Sequence, residues 1–265
     1  MRLTFFFLVT ALAAALVQET KPAVALDGLA HVALRVGDVT ASREFYHKLG
    51  FEQSFEFSDA QGTTTSYMKV NDRQFIELYR RKPEEPLGLM HLCFDAGNLD
   101  ALFQAYVSQE LKPAEVRKAR AGNLLFNLRG PEGQVIEYTQ YLPGSMHSND
   151  RGKHLGENRI STHLIRAAIS PMDLAAVRTF YTQKLGFEER SGKGPVRMVS
   201  PGKSGEEVEL DPASPAWKPR ITFSVPDVRR AEEELRTRGL MPKADGASSV
   251  IVTDPDGTTI VFIAN

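Results

Sequence analysis

Apolar residues interrupted at fixed places by polar ones run from Leu29 to Val36, the pattern of a half-buried strand. A helical period follows, with Ser42, Phe45, Tyr46 and Leu49 at i, i+3, i+4 and i+7. Asp38 or Thr40 is its natural N-cap, and Gly50 stops it. Three further strands are predicted at Phe51–Phe57, Thr63–Val70 and Gln74–Arg80, which makes a βαβββ unit.

The unit recurs. A shift of 60 residues carries His31 onto His91, Tyr46 onto Tyr106, and Phe75-Ile76-Glu77-Leu78 onto Val135-Ile136-Glu137-Tyr138 without a gap. The second helix shows Leu99, Leu102, Phe103, Tyr106 and Val107 on one face. The pattern weakens between Ala114 and Ala121, then sharpens into strands at Leu124–Leu128 and Gln134–Gln140. A polar, Gly-bearing linker at 143–159 precedes two more copies. In the third, Asp173 caps a helix ending in Phe180-Tyr181, and Val208-Glu209-Leu210 echoes Ile76-Glu77-Leu78. Arg220–Val225 opens the fourth, whose helix runs from Asp227 to Arg238. Pro131-Glu132-Gly133 and Pro255-Asp256-Gly257 are matching turns before the last strand of each half. The expected fold class is α+β: four βαβββ modules pairing into two cupped mixed-sheet domains, at 28–142 and 160–265.

Composition removes several alternatives. A formal charge of −1 and the lack of any basic run leave no footprint for nucleic acid. The single cysteine, Cys93, excludes an intrachain disulfide framework and is expected to be a buried small hydrophobe. Arg2, the apolar run Leu3 to Val17 and the small-x-small site Ala23-Val24-Ala25 read as an export signal at 1–25, with Ala11-Leu12-Ala13 as a second cleavage site. The run is short of the roughly 20 residues of a membrane span. The mature chain is expected to begin near Leu26 outside the cytoplasm, periplasmic or extracellular, with no stable membrane insertion.

His31, Glu77, His91 and Glu137 each sit inside an otherwise apolar strand. Burying a carboxylate unpaired costs several kcal/mol, so these groups need protons or a cation. If the two copies pair about a pseudo-twofold axis, two imidazoles and two carboxylates meet at one point, a good site for one divalent ion: Zn, Ni, Co, Mn or Fe(II). The second half keeps Glu209, and His163 a few residues further from its helix than His31 is. Arg220 and Val261 replace His91 and Glu137, so no second metal site is expected there. Tyr79, Tyr138 and Arg35 lie on or beside the ligand strands. His147 and His154 fall in the linker and are expected to be solvated, as is His47 on a helix surface; Glu232-Glu233-Glu234 reads as the wet face of a helix.

From Leu29 to Asn265 the chain resembles the vicinal oxygen chelate superfamily of glyoxalases, bleomycin resistance proteins and extradiol dioxygenases. The resemblance rests on His31-Val-Ala-Leu-Arg-Val, Phe45-Tyr46 with Leu49-Gly50-Phe51, Phe75-Ile-Glu77-Leu, His91, and Pro131-Glu-Gly-Gln-Val-Ile-Glu137-Tyr. It implies a cupped sheet around a metal with open positions for a small chelating substrate, and it leaves the oligomeric state open, a homodimer included. The His-Glu-His-Glu set looks most like glyoxalase I, which implies lyase or isomerase chemistry with Glu77 or Glu137 moving a proton. The competing readings are an Fe(II) ring-cleaving dioxygenase using His31, His91 and Glu137, and a non-enzymatic binding or resistance protein. Retention of all four ligands argues against the last, and export weakens dependence on a cytoplasmic thiol.

Overall fold

A computed structural model describes residues 24–190, 192, 194–246 and 248–264. The run read as an export signal lies almost wholly outside the described residues. The first half comprises β1 (Gly28–Val36), α1 (Val39–Lys48), β2 (Gln53–Asp59), β3 (Gly62–Lys69), β4 (Phe75–Arg80), β5 (Gly88–Asp95), α2 (Leu99–Ser108), β6 (Arg117–Lys118), β7 (Leu124–Arg129) and β8 (Val135–Gln140). A short helix, α3 (Met146–Asn149), lies in the connector. The second half repeats the order with β9 (His163–Ile169), α4 (Leu174–Thr179), β10 (Glu188–Arg190), β11 (Val196–Val199), β12 (Glu207–Leu210), β13 (Arg220–Val225), α5 (Val228–Thr237), β14 (Lys243–Ala244), β15 (Ser249–Thr253) and β16 (Thr259–Ala264).

Each half is one eight-stranded mixed sheet. The orders are β2-β3-β4-β1-β5-β8-β7-β6 and β10-β11-β12-β9-β13-β16-β15-β14, the same path taken twice. The expected α+β class with two cupped mixed sheets is therefore the observed one. The central pair β1–β5 is antiparallel, while β4 and β8 flank it as parallel partners. Parallel neighbours need a crossover, which is why each module opens with a strand and a helix. Asp38, rather than Thr40, caps α1 by accepting the N–H groups of Thr40 and Ala41 at 2.7 and 3.1 Å. No described helix is long and apolar enough to cross a membrane.

One cluster of buried apolar side chains runs through both halves, with Phe51 against Phe223 and Phe94 against Phe187. The two Pro-acid-Gly turns lock this packing. Glu132 accepts the N–H of Met172 at 3.0 Å, just before α4, and Asp256 accepts the N–H of Gly37 at 3.1 Å, just before α1. Each half thus places a carboxylate at the positive end of the other half's first helix. The motif does more than turn the chain into a strand.

The connector is anchored rather than loose. The fully buried Lys69 donates to the Asp150 carboxylate and to the Lys153 carbonyl, both at 2.8 Å. Ser145, His147 and Asp150 are buried with it.

Candidate metal centre

The sheet register gathers the four residues. His31 pairs with Cys93 on β5, Ala33 with Glu77 on β4 and with His91 on β5, and Cys93 with Glu137 on β8. Directly paired residues, and residues two apart on a strand, project from the same face. All of these side chains therefore enter the concave face of the first sheet. Ala33 stands in the middle of the set with only a methyl group.

The donor atoms converge. Nε2 of His31 lies 3.0 Å from Nε2 of His91, and Oε1 of Glu137 is 3.4 and 3.9 Å from these two nitrogens. Glu77 takes a different place: its Oε1 is 3.1 Å from the other ring nitrogen of His31, Nδ1, and its Oε2 accepts the Tyr79 hydroxyl at 2.7 Å. All four ligand candidates are less than 8% exposed, so neither glutamate points to bulk solvent.

Burial sets the protonation of this cluster. It drives His31 well below the usual imidazole range, reinforced by the charges of His91 and His147, and brings His91 down to about 4. It lifts Glu137 to about 7, against hydrogen bonding to Cys93 and the positive charge of Arg117. Glu77 rises well above the ordinary carboxylate range through burial and the neighbouring Glu137. Without a counter-charge the cluster favours neutral rings and protonated acids. Such groups suit a divalent cation, which takes neutral imidazole and ionised carboxylate together.

The distances pass a simple test. Donors about 2.1 Å from one ion lie about 3.0 Å apart at right angles and about 3.4 Å apart at tetrahedral angles. The separations of 3.0 and 3.4 Å from His31 to His91 and to Glu137 are of that size, while the 3.9 Å between His91 and Glu137 is wider than either. His31, Glu77 and His91 form a second set of donors within 4.8 Å of one another, as do His31, Cys93 and Glu137.

Several neighbours differ from expectation. Cys93 is buried, as its apolar surroundings imply, but its thiol faces the donor cluster; its place two residues after His91 was the available signal. Tyr79 and Arg35 line the cavity, whereas Tyr138 turns to the opposite face and hydrogen-bonds Tyr106 in the core. His147, expected in solvent, is buried and lines the same cavity, with Phe55, Tyr67, Phe75 and Tyr141 around its ring. Asn123 accepts the Leu142 N–H through Oδ1, so its amide NH2 faces Nδ1 of His147 and the proton of a neutral ring belongs on Nε2. The linker composition concealed this, because the contacts come from strands far away in sequence. His154 does stay half exposed, paired with Asp150. His47 is exposed beside Glu52.

The second sheet fills the same place with ion pairs. Its register puts Arg166, not His163, where His31 stands: Arg166 pairs with Thr222 and Thr222 with Val261, as His31 pairs with Cys93 and Cys93 with Glu137. His163 lies at the strand's edge, 3.1 Å from Glu206. Arg166 donates to Glu207 and Glu209 at 2.9 Å each, and Arg220 donates to Glu209 and, at 2.7 Å, to Asp211. Burial alone would raise the proton affinity of Glu209, yet the arginines hold it below the usual carboxylate range. Glu209→Ala strands Arg166 without its full complement of partners in a buried setting. The expected cost is about 3 kcal/mol or more, read by denaturant unfolding, with metal content per chain unchanged. A fall in metal content would place the centre in the wrong half.

The Glyoxalase/Bleomycin resistance protein/Dioxygenase superfamily profile matches residues 28–138 and 163–262, and the chain belongs to this superfamily. It is similar to the uncharacterized protein YwkD of Bacillus subtilis (strain 168), with 30% identity over 101 residues, 35% of this chain and 79% of that protein. Its fold matches an Mn(II)-bound glyoxalase from Novosphingobium aromaticivorans at TM-score 0.69 and 16% identity, over 91% of this chain and 82% of that one. The 2,3-dioxygenase LapB from Pseudomonas sp. KL28 matches at 0.69 and 15%, over 91% and 93%. Homoprotocatechuate 2,3-dioxygenase from Arthrobacter globiformis matches at 0.67 and 17%, over 92% and 81%. At such identities the likeness is one of fold.

Proposed function

We propose that this chain is an exported metal-dependent enzyme that moves a proton at the carbon beside two vicinal oxygens of a small substrate, a glyoxalase-like lyase or isomerase. The observation that carries this reading is the second buried carboxylate. Glu77 stands next to the His31, His91 and Glu137 donors but turns toward the far nitrogen of His31. A divalent ion held by His31, His91 and Glu137 would supply Lewis acidity that draws electron density from the substrate oxygens and acidifies the adjacent C–H. Glu77 is then the base. Burial raises the proton affinity of its carboxylate, and the charge of a bound divalent ion would keep it ionised and able to accept a proton. The Tyr79 hydroxyl, donating to Oε2, fixes its orientation. Tyr67, Tyr141 and His147 wall the cavity and limit water around the base. The apolar segment Leu3 to Val17 supports export and, with it, a substrate that needs no cytoplasmic thiol.

The second reading is ring cleavage, favoured by the same geometry read differently: two histidines and one glutamate form a compact set, as in the 2-His-1-carboxylate sites of Fe(II) oxygenases. The two separate by assay. Metal-loaded protein is expected to exchange the C–H next to the oxygens of 2-hydroxy ketones or 2-oxo aldehyde adducts for deuterium, followed by NMR in D2O. Oxygen uptake by Fe(II)-loaded protein with catechols, giving a yellow product, lost in His91→Ala but surviving Glu77→Gln, would replace proton transfer with ring cleavage.

A further inference from the structure

The cavity above the donor cluster holds about 370 Å³, near the small end of the range of about 300–1,000 Å³ for ligand sites. Its acidic lining residues are Glu77 and Glu137, both on the floor among the donors. One divalent ion would balance their two charges. The mouth has a different character. Arg117 on β6 and Arg120 in the turn before β7 line it, and among the described residues neither has a carboxylate within salt-bridge distance. Arg35, the third guanidinium, is matched by Glu85 at 3.5 Å. Arg120 is also held in place, its Cζ 4.1 Å from the centroid of the Phe57 ring. A guanidinium stacked on an aromatic face keeps its in-plane N–H groups free to donate to an anion.

We infer that Arg117 and Arg120 receive an anionic group of the substrate, so that the enzyme acts on a small organic acid with vicinal oxygens at one end and a carboxylate at the other. The inference rests on the metal centre proposed above, which takes the vicinal oxygens. The aromatic walls supplied by Phe57, Tyr67 and Tyr141 suit a flat ring or a short unsaturated chain between the two ends. Two unmatched guanidiniums over a neutralised floor leave the mouth positive, which attracts such a substrate and orients it with its oxygens inward.

The test uses two chelators with one metal-binding end: benzohydroxamate and 4-carboxybenzohydroxamate. Both are titrated into the metal-loaded full chain by calorimetry, with metal content read separately by mass spectrometry. The carboxylated probe should bind about tenfold more tightly, the factor of one charge-assisted hydrogen bond at its lower end. The preference should fall below about threefold in the Arg117→Gln/Arg120→Gln double variant, with affinity for benzohydroxamate unchanged. It should also shrink with added salt. Metal-loaded protein that binds both probes alike, binds neither, or keeps its preference without the arginines overturns the anion-binding mouth while leaving the metal centre standing. Protein that takes up no metal overturns the centre, and the inference with it.

Discussion

Stripping the divalent ion from the metal-loaded protein lowers its Tm, and by a wider margin at pH 8 than at pH 5.5. Glu137 explains the direction. In the ion-free fold burial raises its pKa to about 7, above the unfolded value. Between those two values the folded chain holds a proton that the unfolded chain has released. Ion-free stability therefore falls as pH rises through this window, and above about 7 the whole penalty, about 3 kcal/mol, is present. With the ion bound, the carboxylate is paired and ionised, and the penalty is removed. Glu77, shifted in the same direction, adds to the effect. The histidines do not cancel it. His91 stays neutral in the ion-free fold down to about 4 and His31 is also lowered, so both offer free rings across the whole range. Part of that penalty is already present at pH 5.5, so between pH 5.5 and 8 the margin should widen by about 2 kcal/mol, which corresponds to about 4–8 °C in a chain of this size. Thermal melts of metal-loaded and chelator-treated protein at pH 5.5, 6.5, 7.5 and 8 measure it. A margin that is flat or shrinks with pH would show that Glu137 does not bind the ion. In His91→Ala the margin should nearly vanish at every pH.

The residues that such an experiment probes were legible because they break an apolar strand pattern at matched places. His31 and His91, and Glu77 and Glu137, share one offset, and pairing between strands turns a repeat in sequence into proximity in space. The helix caps Asp38, with Thr40 as its alternative, and Asp173 were legible as well, since capping is local, while Asp227, read as the first residue of α5, proves to be its cap. What the sequence concealed depends on non-local contact. His147 sits in a polar segment whose composition suggests solvent, but Phe55, Phe75 and Asn123 reach it from three different strands or turns. Arg166 was overlooked as the counterpart of His31 because a histidine three residues earlier matched by residue type; strand register decides such equivalences, and residue type does not. The stretch from Ala114 to Ala121 carries almost no period, being largely irregular chain with the two-residue strand β6. That same stretch supplies Arg117 and Arg120 at the cavity mouth. Parts of a chain released from a repeating strand pattern are the ones free to vary with the substrate, and their chemistry is read from where they end up.

Glu77→Gln gives the largest expected kinetic effect. Glutamine keeps the size of the side chain and can still accept from the Tyr79 hydroxyl, but it cannot take a proton from carbon. The donors of His31, His91 and Glu137 remain within 3.0 to 3.9 Å of one another without it. Metal content should stay near the wild-type value, while kcat for C–H exchange falls about 10²- to 10⁴-fold, the range associated with losing a general base. KM should change much less, because Glu77 is engaged by Tyr79 and His31 rather than placed to hold the substrate oxygens. Tyr79→Phe provides the graded comparison. It leaves the base present but releases Oε2, so the expected loss in kcat is about tenfold, the worth of one charge-assisted hydrogen bond. The pH profile separates this positioning role from mere packing: without the Tyr79 hydroxyl the carboxylate loses a donor that favours its ionised form, so the pH at which activity rises should move upward. Metal analysis and kcat on the same preparations decide the matter. If Glu77→Gln loses the ion in step with its activity, Glu77 is a ligand rather than the base, and the proton must be taken by another group.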